Sequence, residues 1–369
     1  MSRRLPSGGL TAIRGDWITF ARPGTAGPAR ERRRLVTRPN ILVTIESPLY
    51  GEITTPEARA KLKALAGRLT LNETDSPWSA DDVADRIGDA DAVLGSWRSC
   101  RYDQRLLDAA PNLKIICYAA GSIRNVTPPA VFNRGVRVAH AARLIAESVA
   151  EFTLAVVLDV LRRTPELFEG MRRGGWREIP IRGQRGLYGK RYGIVGASMV
   201  GRRLIGLLKP FSPEILVYDP YLSEEQARAL SVRRVDLMEL MSTCDVISLH
   251  APSTPETKGM IGAEQFRSIK DDAVFVNNAR AWLVDSAAML KELKKERFYA
   301  ALDVFDQEPL PDDHPLRKLR RTVLSPHTAG NTVESRAMLA SAMIDELERF
   351  FSGAELRFEV KREQLGTMA

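Results

Sequence analysis

Short apolar runs alternate with stretches of helical periodicity along the chain from residue 40 onward. Runs such as Leu113–Tyr118 and Val246–Leu249 contain few polar residues, which is typical of strands buried on both faces of a parallel sheet. A strand followed by a helix, repeated many times, indicates βα units. The pattern predicts an α/β protein with two series of βα units and therefore two parallel sheets.

Runs rich in β-branched residues mark the predicted strands. The first series comprises Ile41–Ile45, Arg68–Leu71, Ala92–Leu94, Leu113–Tyr118 and Val136–Ala139. The second series comprises Tyr192–Val195, Ile215–Tyr218, Val246–Leu249, Val274–Val276, Ala300–Val304 and Val323–Leu324. Ligands of parallel sheets bind beyond the carboxyl ends of the strands, so the residues that follow these strands are the candidates for chemistry.

Two long helices flank the second series. The first is predicted from Glu147 to about Met171, and the second over Thr332–Phe351, ending near Gly353. The apolar residues of the first helix recur on one face: Val149, Phe152, Val156, Val157 and Val160. These are more apolar residues than one contact face needs, which predicts a homodimer, although packing within the monomer would also account for them.

Length and composition fit a globular protein of two domains. The chain has 369 residues, of which 44% are hydrophobic and 27% charged. The longest strongly apolar stretch, Phe152–Leu161, is interrupted by Asp159 and is shorter than the roughly 20 residues that a membrane span needs. We therefore expect no membrane partner.

The positive charge lies almost entirely at one end. Residues 1–40 hold nine arginines against two acids, Asp16 and Glu31, and account for most of the net charge of +8. A basic arm with several Gly and Pro residues predicts disorder, while a transit peptide or an upstream extension from a misassigned start would look the same. Because the remaining chain is nearly neutral, no nucleic-acid partner is expected.

The three cysteines, Cys100, Cys117 and Cys244, are odd in number and share no C-x-x-C spacing. Free thiols of this kind are typical of a reducing cytoplasm. No ligand cluster for a metal stands out, so no metal is expected.

A glycine-rich turn follows the first strand of the second series. Gly196–Gly201 resembles the G-x-G-x-x-G dinucleotide turn, with its middle glycine replaced, and an ordinary strand-to-helix turn would explain it alone. Asp219 ends the next strand, where an acid accepts the ribose hydroxyls of an adenosine and repels a 2′-phosphate. Together they predict NAD bound at Gly196, Ser198, Met199, Val200, Gly201 and Asp219. Arg202 and Arg203 are interpreted as pyrophosphate-side or solvated charges.

Three further candidates follow later strands at the same sheet edge: Arg280, Glu308 and His327. Each has an ordinary interpretation when it is taken alone, as a surface ion pair, a solvated carboxylate or a helix-entry residue. A cation for a carboxylate, a histidine to exchange a proton and a carboxylate to orient and charge that histidine are what reduction of a 2-oxo acid requires. The other histidines, His140, His250 and His314, are expected to be structural.

The order of several motifs resembles the D-isomer-specific 2-hydroxyacid dehydrogenase family from about Ile41 to Phe351. The strongest matches are Ser248–Pro252 followed by Thr254–Thr257, Ser148–Glu151, and the Arg, Glu and His segments. The resemblance implies two Rossmann/flavodoxin-like domains. Residues 41–142 and 329–360 would form the substrate (catalytic) domain, and residues 143–328 an inserted NAD-binding domain.

The resemblance also implies residue roles. Arg280 would hold the substrate carboxylate, His327 would supply the proton and Glu308 would orient it. Asp303 would fix the nicotinamide amide, with Ala279 and His327 also contacting the cofactor. Backbone amides of Ala120, Gly121 and Ser122 would bind the carboxylate. Three sites depart from the family pattern: Ser198, Ala281 and the pair Ile145–Ala146.

The predicted function is an NAD-dependent interconversion of a 2-oxo acid and a D-2-hydroxy acid. The alternative is an NAD(H)-sensing scaffold without catalysis, resembling the corepressors called C-terminal binding proteins. The substrate is a small molecule that the sequence does not identify. The expected specificity loop is Ser96–Cys100, in which Arg98 hints at an acidic or polar substrate side chain. The family is typically dimeric, which agrees with the homodimer expected from the long helix.

Overall fold

Two sheets with helices on both faces organise the part of the chain that the computed structural model describes, residues 38–176 and 183–366. The predicted α/β class with two parallel-sheet units is confirmed. Of the predicted basic arm over residues 1–40, the first 37 residues lie outside the described residues, while Asn40 already belongs to a strand.

The strands are short and follow the predicted order along the chain. The first sheet contains β1 (Asn40–Val43), β2 (Arg68–Leu71), β3 (Ala92–Gly95), β4 (Ile115–Tyr118), β5 (Arg137–His140) and, late in the chain, β13 (Glu359–Val360). The second contains β6 (Arg191–Val195), β7 (Glu214–Tyr218), β8 (Arg233–Arg234), β9 (Val246–Leu249), β10 (Val274–Asn277), β11 (Tyr299–Leu302) and β12 (Thr322–Leu324).

Thirteen α-helices lie within the described residues. In the first part of the chain they are α1 (Ser47–Glu52), α2 (Pro56–Leu65), α3 (Ala80–Ala84), α4 (Gln104–Ala109), α5 (Pro129–Asn133), α6 (Ala142–Arg162) and α7 (Thr164–Arg172). They continue with α8 (Met199–Leu208), α9 (Glu224–Leu230), α10 (Leu237–Thr243), α11 (Ala263–Ser268), α12 (Ser286–Leu293) and α13 (Val333–Phe351). No described helix is long and apolar enough to cross a membrane.

In each sheet the strand order reverses at one inner strand, β1 in the first sheet and β6 in the second. The first runs β13-β5-β4-β3-β1-β2 and the second β12-β11-β10-β9-β6-β7-β8. All pairs are parallel except β13 with β5, which is antiparallel. The split of the strands between the sheets follows the two series, while the domain boundaries 41–142 with 329–360 and 143–328 stay a prediction.

Alternation of apolar residues explains why each sheet is covered on both faces. In β1, Ile41 and Val43 pack into one apolar cluster with α13, whereas Leu42 packs into another with α3, α4 and α5. Because successive strand residues face opposite sides, a fully apolar strand can only be stable between two layers of helices. Burial of each such side chain contributes about 1.5–3 kcal/mol.

The predicted helix Glu147–Met171 is wrong in its bounds. It is two helices, α6 and α7, separated at Arg163, whose φ of 54° lies in the left-handed region. Pro165 stands in the first turn of α7, where its missing N–H costs nothing, whereas inside a helix it would break a hydrogen bond. Helix α6 also begins earlier than predicted, at Ala142.

Two strands have no counterpart in the prediction, and most other bounds shift by one or two residues. Strand β8 consists of two exposed arginines, and β13 of only Glu359 and Val360. Neither carries an apolar run, so the hydrophobic pattern gives no signal for them. The predicted bounds of Arg68–Leu71 and Val246–Leu249 are confirmed.

Candidate active site

A cavity of about 420 Å³ lies where the loops after β4, β5, β6, β9 and β10 meet. Seven of the predicted site residues line it: Gly121, Ser122, Ser198, Met199, Val200, Ala279 and Arg280. Glu308 and His327 do not line this cavity. The carboxyl ends of the strands of both sheets thus contribute to one site, as expected for α/β folds.

The turn after β6 requires glycine at its first and last positions. Gly196 has a φ of 97°, and a Cβ there would lie 2.7 Å from the backbone nitrogen of Ala251. A Cβ on Gly201 would lie 2.3 Å from the carbonyl oxygen of Gly196, so α8 can begin close to the turn only without a side chain. This is the cradle that a dinucleotide pyrophosphate fits, with the N-terminal amides of α8 facing an anion.

The middle position of the turn accommodates a side chain. Ser198 is the N-cap of α8 with an ordinary negative φ of −66°, and its Oγ accepts a long hydrogen bond, 3.4 Å, from the backbone N–H of Gly201. A serine at an N-cap stabilises a helix start, and its own hydroxyl hydrogen remains available to a ligand. The departure from glycine at this position is therefore compatible with the dinucleotide turn.

Asp219 lies directly beside this turn, although it is 18 residues beyond it in sequence. Its Oδ2 accepts a hydrogen bond of 2.7 Å from the backbone N–H of Ala197, and its Oδ1 accepts one of 2.8 Å from Tyr221. The carboxylate is fixed, and each oxygen keeps a further lone pair for a hydroxyl donor.

His327 and Glu308 form the hydrogen-bonded pair that the sequence predicts. The Nδ1 of His327 lies 2.7 Å from the Oε2 of Glu308, and Glu308 Oε1 accepts a bond of 3.0 Å from the backbone N–H of Phe305. Partial burial would raise the pKa of Glu308, but the bonds from His327 and Phe305 and the charge of Arg280 outweigh it and lower that pKa. Glu308 is therefore ionised. Because it contacts Nδ1 of His327, Nε2 of the same ring is left without a partner in Glu308.

Asp303 fixes the loop that carries His327. Its buried carboxylate accepts hydrogen bonds from the Ser325 hydroxyl at 2.6 Å and from the backbone N–H groups of Thr328 and Ala329, both at 2.9 Å. His327 itself has a φ of 50°, a left-handed conformation that costs roughly 1–2 kcal/mol for a residue with a Cβ. The three bonds hold the histidine in this conformation, a role for Asp303 that sequence reasoning missed.

Arg280 is positioned by the asparagine that ends β10. The Nδ2 of Asn277 donates to the carbonyl oxygen of Arg280 at 2.9 Å, and its Oδ1 accepts from the N–H of Ala279 at 3.1 Å. Among the described residues the guanidinium has no ion-pair partner, and it donates only to the Ala279 carbonyl oxygen, at 2.6 Å. Burial lowers the pKa of Arg280, while the charge of Glu308 opposes this shift. Asn277 was missed by sequence reasoning, although an asparagine after a strand is a known turn signal.

The loop after β4 offers free amides. In the part of the chain that the structure describes, the backbone N–H groups of Gly121 and Ser122 donate no hydrogen bond. Ala120 is buried in the core, and its carbonyl oxygen accepts from Ala141 at 3.2 Å. Only its backbone can therefore take part in binding.

Two of the histidines expected to be structural, His140 and His250, line the cavity. The Nδ1 of His140 lies 2.7 Å from the carbonyl oxygen of Gly121, and His250 Nε2 lies 2.9 Å from the hydroxyl of Ser248. Burial lowers the pKa of His140, with the Gly121 bond opposing, and lowers the pKa of His250 to about 3. Both imidazole rings are therefore uncharged near neutral pH and line the cavity as neutral groups.

Arg98, the residue that hints at an acidic or polar substrate side chain, is paired with a carboxylate of the protein. Arg98 forms an ion pair with Glu46, whose side chain is only 2% exposed, and it does not line the cavity. Its charge is therefore already compensated by a carboxylate at the N-cap of α1.

The turn at 196–201 with Asp219, and the pair of His327 and Glu308 with Arg280 nearby, define a nicotinamide-dependent oxidoreductase. The profile described as "D-isomer specific 2-hydroxyacid dehydrogenase, NAD binding domain" matches residues 154–329. The chain is 33% identical over 321 residues to glyoxylate reductase from Korarchaeum cryptofilum, with 86% of this chain and 94% of that protein covered. The chain belongs to the D-isomer-specific 2-hydroxyacid dehydrogenase family.

Two further relatives extend this comparison. The chain is 33% identical over 275 residues to D-3-phosphoglycerate dehydrogenase from Methanocaldococcus jannaschii. The matched region covers 74% of this chain and only 52% of that protein. A solved phosphoglycerate oxidoreductase from Rhizobium etli superposes with a TM-score of 0.75 at 25% identity, covering 89% of this chain and all of the other. The chain is thus an NAD-dependent oxidoreductase that acts on CH–OH groups.

Proposed function

We propose that this enzyme interconverts a 2-oxo acid and a D-2-hydroxy acid, with Arg280, Glu308 and His327 as its catalytic residues. The observation that carries the proposal is the 2.7 Å hydrogen bond between His327 Nδ1 and Glu308 Oε2, with the unpaired guanidinium of Arg280 close enough to lower the pKa of that carboxyl. When bound, the reduced nicotinamide supplies a hydride to C2 of the substrate.

Arg280 binds the substrate carboxylate and polarises the carbonyl oxygen on which negative charge develops. A guanidinium matches a carboxylate with two parallel hydrogen bonds, which fixes orientation as well as charge. The free N–H groups of Gly121 and Ser122 bind the same carboxylate from the other side. Because Arg280 is half-buried, its interaction with the developing charge is stronger than it would be in water.

His327 supplies the proton. Its Nδ1 is occupied by Glu308, so Nε2 donates to the carbonyl oxygen as C2 accepts hydride, and the product is a hydroxyl with a neutral imidazole. In the reverse direction the same nitrogen removes the hydroxyl proton. Glu308 stabilises the imidazolium and sets the ring orientation.

Ser198, Met199, Val200 and the glycines at 196 and 201 hold the pyrophosphate, and Asp219 binds the adenosine ribose. Asp303 uses three of its roughly four lone-pair sites within the protein, which leaves one for the nicotinamide amide beside Ala279. We take this carboxylate to serve both the histidine loop and the cofactor.

The test is turnover with a panel of 2-oxo acids: glyoxylate, pyruvate, hydroxypyruvate, phenylpyruvate and branched 2-oxo acids. We expect oxidation of NADH with at least one of them. If NADH binds tightly but is oxidised with no member of the panel, the non-catalytic scaffold of the corepressor type would be favoured. The enzyme names of the relatives do not favour that alternative.

We also propose a homodimer. Helix α7 and the residues after it expose large apolar side chains, with Phe168, Met171 and Trp176 at 61%, 54% and 72% exposure. Apolar groups gathered in one short segment are typical of an interface. Light scattering at micromolar concentration should give twice the 41.0 kDa of the chain, and a monomeric mass would refute the proposal.

A reducing cytoplasmic location is proposed from the thiols. Cys100, Cys117 and Cys244 are all free, and the latter two are buried. Burial raises the pKa of Cys244 to about 12, which keeps this thiol unreactive.

A further inference from the structure

Two arginines in the cavity wall have no role in the proposed reaction. Arg143 and Arg357 line the same cavity as the glycine-rich turn, and both are exposed to it and to solvent. Within residues 38–176 and 183–366, neither side chain forms a hydrogen bond or an ion pair. Unpaired guanidinium groups in a concave site are free to bind an anion.

The charge of Arg143 is not stabilised by the helix in which it lies. This residue stands in the first turn of α6, where the helix dipole is positive and a cation is unfavourable. Four residues on, Glu147 could have compensated the charge, but it is paired with Arg203. Neither the helix dipole nor an ion pair within the described residues therefore stabilises this cation.

The backbone of Arg357 is fixed from the core. The buried Oε2 of Glu346 accepts hydrogen bonds from the N–H groups of Arg357 and Phe358, at 2.8 and 3.1 Å. The N–H of His140 donates to the carbonyl oxygen of Phe358 at 3.1 Å, where β13 meets β5. A side chain on such a segment is presented to the cavity with little freedom to move its Cα, which reduces the entropy lost on binding.

The other charges near the turn are already engaged. Arg203 is paired with Glu147, and Arg202 Nε donates to the Ala197 carbonyl oxygen at 2.9 Å. The carboxylate in the lining, Glu359, accepts from Arg137 and from Lys361, each at 2.6 Å. The cavity therefore has an excess of positive charge that no acid in its lining neutralises.

We propose that Arg143 and Arg357 bind the pyrophosphate of the coenzyme, as a second set of contacts besides the amides of α8. The phosphate turn residues Ser198, Met199 and Val200 share this cavity. The proposed carboxylate-binding groups of Gly121, Ser122 and Arg280 line it too, whereas Glu308 and His327 do not. A dianionic pyrophosphate suits two guanidinium groups, each able to donate two hydrogen bonds to phosphate oxygens. The inference rests on the proposed placement of the dinucleotide at residues 196–201.

The test measures the Kd of NADH, ADP-ribose and adenosine by calorimetry, without the 2-oxo acid, in Arg143→Met, Arg357→Met and the double variant. We expect NADH and ADP-ribose to bind about tenfold more weakly in each single variant, on the order of 1.4 kcal/mol. Binding of adenosine, which lacks phosphate, should not change. Added salt should weaken NADH binding more in the wild type than in the double variant.

The matched control is Arg267→Met, because Arg267 is exposed on α11 and does not line the cavity. This variant should bind NADH as the wild type does. An unchanged Kd in both Arg143 and Arg357 variants would overturn the inference, as would equal weakening of adenosine binding, which would indicate a structural role. A change confined to the KM of the 2-oxo acid would overturn it in favour of a second anionic group on the substrate. Failure of the wild type to bind NADH would instead refute the placement of the dinucleotide.

Discussion

At the scale of single residues, the site depends on side chains that form hydrogen bonds with the backbone of the loops after β10 and β12. Asn277 orients Arg280, and Asp303 holds the loop of His327 in its left-handed conformation. The proposed proton donor, His327, and the proposed carboxylate-binding group, Arg280, therefore come from two different strand ends of one sheet. Chemistry can be tested separately from cofactor binding because these residues are distinct from the glycine-rich turn.

Replacement of His327 by Ala should lower kcat by roughly 100-fold or more, the usual scale of general acid catalysis. The Kd of NADH should change little, because the dinucleotide turn and Asp219 are untouched. Steady-state kinetics and calorimetry on the same preparation measure the two effects. Near-normal turnover would remove His327 from its proposed role.

Asp219 should set the choice between NADH and NADPH. Its carboxylate is pinned beside the turn by the Ala197 N–H, where a 2′-phosphate would meet a fixed negative charge. We expect kcat/KM to be at least tenfold higher with NADH than with NADPH, on the order of 1.4 kcal/mol. In Asp219→Ser this ratio should be markedly smaller.

The control for this variant is Asp219→Asn, which keeps a hydrogen-bond acceptor for Ala197 and removes only the charge. It should narrow the preference as well. Equal use of both cofactors by the wild type would mean that Asp219 does not face the ribose.

At the scale of elements, the hydrophobic pattern is sufficient for the buried strands and insufficient at their edges. Strands such as β9 and β10 are predicted because every residue is buried. The two-residue strands β8 and β13 pair through the backbone alone and leave no apolar signal. The break between α6 and α7 had a signal in Pro165, which the apolar periodicity on either side obscured.

The site residues likewise divide into those that the sequence predicts and those that it does not. Residues that directly follow a buried strand, such as Arg280, could be predicted from position and chemistry. Arg143 and Arg357 could not, because one lies in a helix and the other follows the last helix, far apart in sequence. The cavity that joins them exists only in three dimensions, and no spacing rule connects residues brought together by separate elements.

The junction of the turn and α8 gives a prediction at this scale. Gly201→Ala would place a Cβ 2.3 Å from the carbonyl oxygen of Gly196, a backbone atom that cannot move aside, so α8 must shift. We expect a loss of unfolding free energy of about 1–3 kcal/mol, measured by urea titration, and weaker NADH binding.

A matched control lies in the same helix. A Cβ on Gly206 meets nothing within 4 Å, so Gly206→Ala should stabilise the protein by about 0.5–1 kcal/mol. If both variants behaved alike, the close approach at Gly201 would not be what requires glycine there.

At the scale of the whole molecule, the buried neutral histidines link folding to pH. The folded protein holds the pKa of His250 at about 3 by burial, far below the roughly 6.5 of an unfolded histidine. The unfolded chain therefore binds the proton first as pH falls. Stability from this group is complete above about pH 6.5 and is lost progressively toward pH 3, by about 1.4 kcal/mol per pH unit.

His250→Asn should remove this contribution and flatten the fall in unfolding free energy between pH 6.5 and pH 4.5. Urea titrations at several pH values give the slope, which does not depend on any constant cost of the substitution. Gly206→Ala, which removes no titratable group, is the control and should keep the wild-type slope. Identical slopes in the wild type and His250→Asn would contradict the assignment of a buried, neutral ring.

The central claim is that one active site transfers a hydride and a proton to the two ends of a 2-oxo carbonyl group with a fixed geometry. The most direct measurement is chiral chromatography of the product formed from NADH and the best 2-oxo acid other than glyoxylate, whose product has no stereocentre, together with the NADH consumed. We predict one D-2-hydroxy acid for each NADH oxidised. A racemic or L-configured product, or consumption of NADH without a hydroxy acid, would contradict the account.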